Sequence, residues 1–251
     1  MIKTIAFHIL KGGSSKSTNC GNIAFSLAKQ GKKTIAVDCD YQSNLSKWFI
    51  VKPIEFDLGD VLQGKIEVKK AMCQITNNFY IIPVKNKSDL KNYAETKLFQ
   101  EPFVFEELIV ELNKLGFDFA LFDLAPSISQ LERSILLSVN EVITPMLPEY
   151  FSYDGITLFE QELNKVNKSF RKNVKHNKIV VSCINESFRR HKSYLHAIEG
   201  LSNRYKIYKI SQDSKIPESQ MFNKSIFDYA PNSKTIKEIE LITNDILAEA
   251  R

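Results

Sequence analysis

The residues of this chain best suited to chemistry stand together in one short run of glycines, hydroxyl groups and lysines. Residues 11–18 read Lys-Gly-Gly-Ser-Ser-Lys-Ser-Thr, after an apolar segment and before a helical pattern. Backbone N–H groups at the start of a helix bind anions, because they point at the ligand and the helix dipole is positive there. Lys16 adds a positive charge, and Ser17 adds a hydroxyl that can bind Mg²⁺. The run therefore predicts a phosphate-binding loop.

The run departs from the usual pattern G-x-x-x-x-G-K-S/T at two positions. Leu10 stands in place of the first glycine, and Ser15 stands in place of the glycine before the lysine. Ser15 adds a Cβ where backbone must approach phosphate closely, and its cost is greatest if its φ is positive. We expect nucleotide binding to survive, because serine is small. Taken alone, the run is also compatible with a Gly-Gly turn flanked by two solvated lysines.

Three aspartates follow apolar segments elsewhere in the chain. Asp38 and Asp40 end one segment, and Asp123 ends another after four apolar residues, while residues 142–151 form a third that leaves through two prolines. Each aspartate alone could cap a following helix. Together with Lys16 at one sheet edge they predict a cation site, because buried carboxylates are costly without a cation or lysines nearby.

Apolar, β-branched segments alternate with amphipathic helical patterns along most of the chain. The predicted strands are residues 2–9, 33–38, 79–83, 118–123, 140–146, 178–184 and 206–210. The predicted helices lie near residues 17–30, 57–72, 101–115, 127–138, 153–170, 190–203 and 234–249. Such alternation predicts an α/β fold, with a mostly parallel twisted sheet, helices on both faces and ligands at the carboxyl ends of the strands. Because no linker or repeat interrupts the alternation, residues 1–251 are predicted to form a single domain.

The composition is typical of a globular protein of the cytoplasm. Of the 251 residues, 43% are hydrophobic and 25% are charged, and no apolar run approaches the roughly 18 residues of a membrane span. The phosphate loop lies so near the start of the chain that we expect no signal peptide. Four cysteines, at positions 20, 39, 73 and 183, are widely spaced, so buried free thiols are expected rather than a metal site or disulfides.

Positive charge is concentrated in one part of the chain. Residues 163–215 contain thirteen lysines and arginines but only three acidic residues, whereas the whole chain has a net charge of +5. A basic segment on an otherwise acidic body suggests a polyanionic partner. A solvated lysine-rich surface is an equally simple interpretation of the charge alone.

These motifs, in this order, resemble those of the ParA-type chromosome and plasmid partition ATPases over nearly the whole chain. Residues 11–18 resemble the deviant Walker A motif of the ParA/MinD branch of P-loop NTPases. Residues 37–44 are similar to the segment D-x-D-P-Q-x-N, with Tyr41 in place of the proline, and residues 122–127 are similar to the Walker B segment D-x-x-P-S. Residues 148–151 and 225–234 resemble later landmarks of the family.

The resemblance implies a role for each matching residue at the nucleotide site. Lys16 would contact the β- and γ-phosphates, and Lys11 would reach across a dimer interface to the partner's nucleotide. Asp40 would position the attacking water. The other implied nucleotide contacts are Gly12, Gly13, Ser14, Ser15, Ser17 and Thr18, with Asn185 and Ser211 near the adenine, and the implied metal-site residues are Ser17, Asp38 and Asp123.

The resemblance also implies partners and a working cycle. The chain would bind ATP and Mg²⁺, form a nucleotide-sandwich homodimer, bind DNA non-specifically and hydrolyse ATP slowly until a ParB-type centromere-binding protein stimulates it. The implied DNA contact is Lys215, and Arg189, Arg190 and Lys192 of the same basic segment are expected to contribute. Such a protein would segregate a plasmid or chromosome on the nucleoid.

Two other functions share the same phosphate loop. A MinD-like ATPase cycles on and off membranes through a basic amphipathic C-terminal helix, but residues 234–251 carry three positive and four negative charges and an apolar pattern suited to core packing. A scaffold that binds nucleotide without hydrolysing it is the second alternative, and Ser15 and Tyr41 are the residues that suggest it.

Overall fold

A single eight-stranded sheet runs through the computed structural model, which describes residues 1–85, 90–149 and 152–250. The strands are β1 (Lys3–Phe7), β2 (Thr34–Cys39), β3 (Cys73–Gln74), β4 (Phe79–Ile82), β5 (Phe119–Leu124), β6 (Glu141–Met146), β7 (Lys175–Ile184) and β8 (Lys206–Ser211). Their spatial order is β3-β4-β2-β5-β1-β6-β7-β8, and every neighbouring pair is parallel except β3 and β4. The predicted α/β class with a mostly parallel sheet is confirmed.

Twelve helices in the described residues cover both faces of the sheet. They are α1 (Lys16–Lys29), α2 (Asn44–Phe49), α3 (Leu58–Leu62), α4 (Val68–Ala71), α5 (Leu90–Thr96), α6 (Val104–Lys114), α7 (Gln130–Ser138), α8 (Ser152–Phe170), α9 (Arg189–Glu199), α10 (Lys215–Met221), α11 (Ile226–Tyr229) and α12 (Lys234–Glu249). Apolar clusters place α1, α2, α10, α11 and α12 on one face and α3 to α9 on the other. Within the described ranges, no helix has the length and apolar character needed to cross a bilayer.

The central strands bring the predicted site residues to one edge. β1 lies between β5 and β6, and β2 lies on the far side of β5. The register pairs Asp38 of β2 with Asp123 of β5, and Phe7 at the end of β1 pairs with the same Asp123. Because these strands are parallel, the loops after them meet at the carboxyl edge of the sheet.

The sequence pattern located most elements but not all of them. The helix predicted over residues 57–72 is in fact α3 and α4, separated by a turn in which Gly64 has a φ of +68°. A left-handed backbone ends a helix and is easy for glycine. The short helices α2, α5, α10 and α11 were not predicted, because four to seven residues are too few to show a helical period, and the two residues of β3 are too few to show an alternating one.

The cysteines differ from the expectation in two places. All four are free thiols, and Cys20 and Cys39 are buried as expected. The prediction is wrong for Cys73, which is half-buried, and for Cys183, which is exposed. Cys183 stands near the end of β7, where the strand leaves the sheet beside the phosphate loop.

A buried ion-pair network joins the sheet to the last helix. The Lys178 side chain in β7 is fully buried, and its Nζ lies 2.5 Å from Glu141 Oε1 and 2.6 Å from Glu249 Oε2. Lys3 also reaches Glu141, at 3.1 Å. Although burial alone would raise the pKa of Glu249, hydrogen bonds from Lys178 and Lys206 lower it. Lys178 therefore contributes to packing and does not belong to a basic surface.

Two histidines lie on the α8 side of the sheet, His8 fully buried and His176 half-buried. Burial, together with the charge of Lys16, lowers the pKa of His8 to about 3. Burial also lowers the pKa of His176 to about 4, although Glu160 acts in the opposite direction. The Phe159 ring lies edge-on between them, with centroid distances of 4.9 and 5.0 Å. Both imidazoles are therefore neutral at pH 7.

We expect the substitution Lys178→Met to destabilise the protein by about 3 kcal/mol, because it leaves Glu141 buried with only Lys3 as a partner. Urea unfolding monitored by circular dichroism measures this loss. The matched control is Lys165→Met, which removes an exposed ion pair with Glu162 and should change stability by under about 0.5 kcal/mol. Equal unfolding midpoints for the two variants would contradict the structural role of Lys178.

We also expect the buried histidines to make the fold acid-sensitive. Their folded pKa values lie below the unfolded value of 6.5, so the unfolded chain binds more protons and stability falls as pH drops below 6.5. Each histidine contributes up to about 1.4 kcal/mol per pH unit in that window. Urea unfolding between pH 7.5 and 4.5 should give a shallower slope for His8→Leu than for the parent, whereas the exposed control His196→Gln should keep the parent slope. An unchanged slope for His8→Leu would refute this assignment.

Candidate functional site

The loop between β1 and α1 adopts a backbone that favours glycine at two positions. Gly13 has a φ of 68°, and Ser15, the residue before α1, has a φ of 63°. A left-handed backbone costs a non-glycine residue roughly 1–2 kcal/mol. Ser15 therefore meets the condition under which its replacement of glycine is most costly. The phosphate loop holds local strain at the residue where it departs from the usual motif.

Contacts with β7 support this strained turn. The Ser15 Oγ lies 3.9 Å from Cys183 Sγ, and the Ser15 carbonyl accepts a 2.8 Å hydrogen bond from Asn19 Nδ2. The same Asn19 amide donates to Ser182 Oγ at 2.9 Å. The Ser15 hydroxyl thus contacts the end of β7, and the hydrogen bonds of Asn19 connect the loop to that strand.

Lys16 lies buried at the first position of α1. Its Nζ donates to the Lys11 carbonyl at 3.3 Å, which curls the side chain over the loop. Burial lowers the pKa of Lys16, while Asp123 and Asp40 raise it. The two aspartates are therefore close enough to act electrostatically on the predicted phosphate-binding lysine.

Asp38 and Asp123 form a pair of fully buried carboxylates on neighbouring strands. Burial raises the pKa of Asp38 to about 7, and hydrogen bonds from Ser46 oppose that shift. Burial raises the pKa of Asp123 strongly, and the charge of Asp38 raises it further, whereas Ser17 and Lys16 only partly offset these effects. Both carboxyl groups thus resist ionisation beside the phosphate loop, and a nearby cation would favour their charged forms.

The three aspartates differ in how their oxygens are used. Asp38 accepts hydrogen bonds from the Ser46 hydroxyl at 2.6 Å and from the Ser46 backbone at 2.8 Å. Asp40, which is buried, accepts one from the Gln42 backbone at 2.9 Å. Within the described ranges, neither carboxylate oxygen of Asp123 has a hydrogen-bond partner of regular geometry. Asp38 is thus held by protein donors, while Asp123 is open to a cation or water.

These residues fit a magnesium ion. An unpartnered buried carboxylate is the feature that a bound cation would satisfy, and the Ser17 hydroxyl supplies a second oxygen. No group of three or more His, Cys, Asp or Glu side chains in the part of the chain that the structure describes could hold a metal by itself. Magnesium retains several waters and commonly binds through one or two protein oxygens and substrate phosphates. The donors present suit that mode.

Two cavities, of 780 and 880 Å³, adjoin the phosphate loop. Both are lined by Ser15, Thr18, Pro217 and Gln220. The first also contains Asp40 and the remaining residues of the loop from Gly12 to Ser17. The second extends along the ends of β7 and β8 and contains Asn185 and Ser211. Their combined volume accommodates a nucleotide with its phosphates in the first cavity and its base in the second.

The residues predicted near a base occupy the second cavity but have partners of their own. Asn185 Nδ2 donates to Gln212 Oε1 at 2.9 Å. Ser211 donates twice to Glu238, from its backbone at 2.8 Å and its hydroxyl at 2.7 Å. Gln212 and Glu238 are polar residues at this end that the sequence did not single out, since neither belongs to a recognisable motif.

Lys11 lies close to the loop but is paired within its own chain. Its Nζ donates to Glu149 Oε2 at 2.5 Å. Both side chains are partly exposed, at 29% and 51%. The landmark of residues 148–151 thus places Glu149 at the loop, whereas Tyr150 and Phe151 lie outside the described residues.

The thirteen basic residues of the predicted basic segment do not form one surface. Seven of them pair with carboxylates: Lys165, Lys172, Lys178, Arg204, Lys206, Lys209 and Lys215. Lys178 is one of these and is fully buried, so it belongs neither to a polyanion-binding surface nor to a solvated one. Most of the acidic partners come from residues distant in sequence. The net charge of the segment is therefore larger than the unpaired charge that it presents at the surface.

The remaining basic residues fall at opposite edges of the sheet. Those with no carboxylate partner in the described parts of the chain are Lys168, Arg171, Lys175, Arg189, Arg190 and Lys192. The last three begin α9, directly after β7, and so lie at the edge that carries the phosphate loop. Arg190 stacks over Phe188 at 5.3 Å. Lys215, at the start of α10, pairs with Glu218 at 2.9 Å.

Comparison with known proteins agrees with this arrangement. A family profile described as an AAA domain (AAA_31) matches residues 2–176. The chain is 44% identical over 240 residues to the uncharacterized protein BBD21 of Borreliella burgdorferi, covering 95% of this chain and 96% of that protein. It is 33% identical over 170 residues to the chromosome-partitioning ATPase Soj of Treponema pallidum, covering 66% of this chain and 65% of Soj.

A solved structure has the same fold. A candidate plasmid partition protein (BB_S35) from Borrelia burgdorferi B31, bound to AMPPNP, superposes with a TM-score of 0.82 over 99% of this chain and all of that chain. The two sequences are 23% identical, so the likeness concerns the fold.

The unpartnered state of Asp123 leads to a stability prediction. Without nucleotide and Mg²⁺, Asp123→Asn should raise the free energy of unfolding by about 1 kcal/mol or more, because it removes a carboxyl group that on folding must either stay charged beside Asp38 or take up a proton. Differential scanning calorimetry in EDTA measures the change. The exposed substitution Glu107→Gln is the control and should have no effect. A less stable Asp123→Asn protein would show that the carboxylate already has a stabilising partner.

Proposed function

The chain belongs to the ParA-type partition ATPases of the AAA-domain family, and from this premise we propose that it is an ATP-dependent DNA-partition switch. In this proposal the chain binds Mg-ATP, dimerises around the nucleotide, binds DNA non-specifically and is reset by slow ATP hydrolysis. The observation that carries the proposal is the meeting of Asp38 and Asp123 with Lys16 and Ser17 at one sheet edge. Such a set of groups binds a phosphate chain and its cation.

The proposed division of work follows from the geometry. Phosphoryl transfer needs positioning and charge neutralisation more than covalent chemistry. The loop amides and Lys16 neutralise the phosphates, while Ser17 and Asp123 hold the Mg²⁺, which supplies further positive charge at the phosphates. Asp38, bonded to Ser46, fixes the position of the loop after β2. Asp40 lines the phosphate cavity and orients water for attack.

The position of Lys11 supports the proposed dimerisation. Its ion pair with Glu149 is partly exposed, and exposed pairs contribute only about 0–1 kcal/mol. A γ-phosphate presented by a second copy would attract Lys11 more strongly than one carboxylate does, because it offers several charged oxygens. ATP therefore joins the two copies, and its hydrolysis separates them.

DNA binding is proposed for the basic residues at the nucleotide edge. Arg189, Arg190 and Lys192 present positive charge beside the loop, and Lys215 lies on the neighbouring α10. A dimer would bring two such sets together, and each neutralised DNA phosphate adds to a salt-dependent affinity. A ParB-type centromere-binding partner is proposed to stimulate hydrolysis, with the protein acting on the nucleoid in the cytoplasm.

The packing of α12 favours this proposal over a membrane-cycling ATPase. Ile236, Ile239, Ile242 and Ile246 are buried against α1 and the sheet. A membrane-targeting helix needs a free apolar face and a lysine-rich polar face. The apolar face of α12 is instead packed inside the protein. A scaffold that does not hydrolyse ATP would show ATP binding with no phosphate release above background, even with DNA.

We predict that Lys11→Ala still binds ATP but dimerises about 10- to 100-fold more weakly, because each site loses a charge-assisted hydrogen bond from the partner. Analytical ultracentrifugation with AMPPNP or ADP measures the dimer, and phosphate release with DNA measures turnover. Lys114→Ala on α6, whose lysine pairs with Glu111, is the matched control. An AMPPNP-dependent dimer of Lys11→Ala with the parent affinity would refute the role of Lys11, and a parent that never dimerises would overturn the proposed switch.

A further inference from the structure

Helix α10 forms the wall that the two nucleotide-site cavities share. Pro217 and Gln220 line both cavities. The helix has seven residues and is therefore about 10 Å long. Lys215 stands at its first position, and Met221 at its last position lines the phosphate cavity. One short, stiff element thus carries both a wall of the nucleotide site and a proposed DNA contact.

One side-chain hydrogen bond connects this wall directly to the phosphate loop. Gln220 Nε2 donates to Thr18 Oγ1 at 3.0 Å, across 202 residues of sequence. Thr18 lies in the first turn of α1, next to the proposed magnesium ligand Ser17. A movement of that turn on nucleotide loading would therefore reach α10 through this bond.

A second set of hydrogen bonds holds α10 in place from another side. Asn223 Nδ2 donates to the carbonyls of Lys47 and Trp48, at 3.2 and 2.9 Å. Trp48 Nε1 donates a 2.8 Å hydrogen bond to the Lys224 carbonyl. These bonds fasten the end of α10 to α2, so the helix remains anchored when the Gln220 bond is removed.

The lysine at the start of α10 forms an ion pair within its own helix. Lys215 Nζ donates to Glu218 Oε2 at 2.9 Å, and Tyr229 donates to the same oxygen at 3.0 Å. The hydrogen bond from Lys215 lowers the pKa of Glu218, which keeps that carboxylate charged. The charge of Lys215 is therefore partly neutralised, and a DNA phosphate must compete with Glu218 for it.

We propose that Gln220 is a positioning residue that transmits the occupation of the phosphate loop, through α10, to Lys215. The inference rests on the proposed function, because it assumes that DNA affinity depends on nucleotide. While the bond to Thr18 is intact, the position of α10 depends on the first turn of α1 and therefore on the nucleotide bound there. Without it, α10 is held by α2 and α11 and no longer by the first turn of α1, and the DNA surface responds less to the nucleotide.

The test compares DNA affinity with AMPPNP and with ADP, measured by fluorescence anisotropy on a random-sequence duplex at one salt concentration. Gln220→Leu removes the donor at similar size. The ratio of the two affinities should fall about five- to tenfold, the effect of one hydrogen bond, while affinity for a fluorescent ATP analogue stays within about threefold. Gln63→Leu, at the residue that follows α3, removes an amide that donates to the Gly59 carbonyl of that helix; it is the matched control and should keep the parent ratio.

Thr18→Val removes the same bond from the other side, which keeps the test decisive if Gln220→Leu folds poorly. At saturating nucleotide, Thr18→Val should lower the affinity ratio by a similar factor, and the double variant should lower it no further. Gln220→Glu keeps an acceptor for the Thr18 hydroxyl and should recover most of the ratio. A role in packing alone would reduce affinity equally with both nucleotides.

The outcomes separate this inference from the proposed function. A parent with equal DNA affinity in AMPPNP and ADP overturns both. A parent with a large ratio that Gln220→Leu retains overturns only the role of Gln220. A Gln220→Leu protein whose ATP affinity falls as much as its ratio does would make Gln220 a nucleotide-binding residue and also overturn the inference.

Discussion

The close approach of two buried carboxylates is the constraint on which the nucleotide edge depends. Asp38 and Asp123 face each other across β2 and β5 with no exposure to solvent, and two like charges in such a place are unfavourable unless donors or cations compensate them. The protein compensates Asp38 internally, through the hydroxyl and backbone of Ser46. It leaves Asp123 open beside Ser17 and Lys16. The asymmetry between the two carboxylates therefore leaves room for a cation at one of them.

This arrangement explains several features around the site. α2 follows β2 immediately and brings Ser46 to Asp38, and α2 in turn anchors α10 through Trp48 and Asn223. α10 then closes the side of both cavities. The elements that surround the phosphate loop are thus connected by hydrogen bonds that begin at a buried carboxylate. Local strain at Ser15 is supported by the same surroundings, because neighbours at the end of β7 hold the loop. Strained backbone persists where the surrounding structure supports it.

The basic residues of one segment divide into those that pair with acidic residues in the fold and those that are free to take part in the proposed polyanion binding. The lysines and arginines between residues 163 and 215 form a block in sequence, but folding brings many of them to acidic residues of other elements. Lys178 became part of a buried network with Glu141 and Glu249. Of the basic residues in this segment with no carboxylate partner in the described parts of the chain, those at the start of α9 lie at the edge that carries the phosphate loop. Fewer residues of this segment are therefore available to the proposed polyanionic partner than the sequence suggested, and their place at the phosphate-loop edge supports the proposed dependence of DNA affinity on nucleotide.

The sequence by itself determined the fold class, the strand–loop–helix setting of residues 11–18 and the arrival of Asp38, Asp40 and Asp123 at one edge. These follow from local periodicity and from the rule that parallel strands end together. Only the tertiary structure decided that Lys11 pairs with Glu149, that Lys178 is buried and that Gln220 meets Thr18. Those contacts join residues 37 or more positions apart, and side chains so distant leave no periodic signal in the chain. The short helices α2 and α10 were decided in the same way, since hydrogen bonds and packing to other elements stabilise them more than their own sequences do.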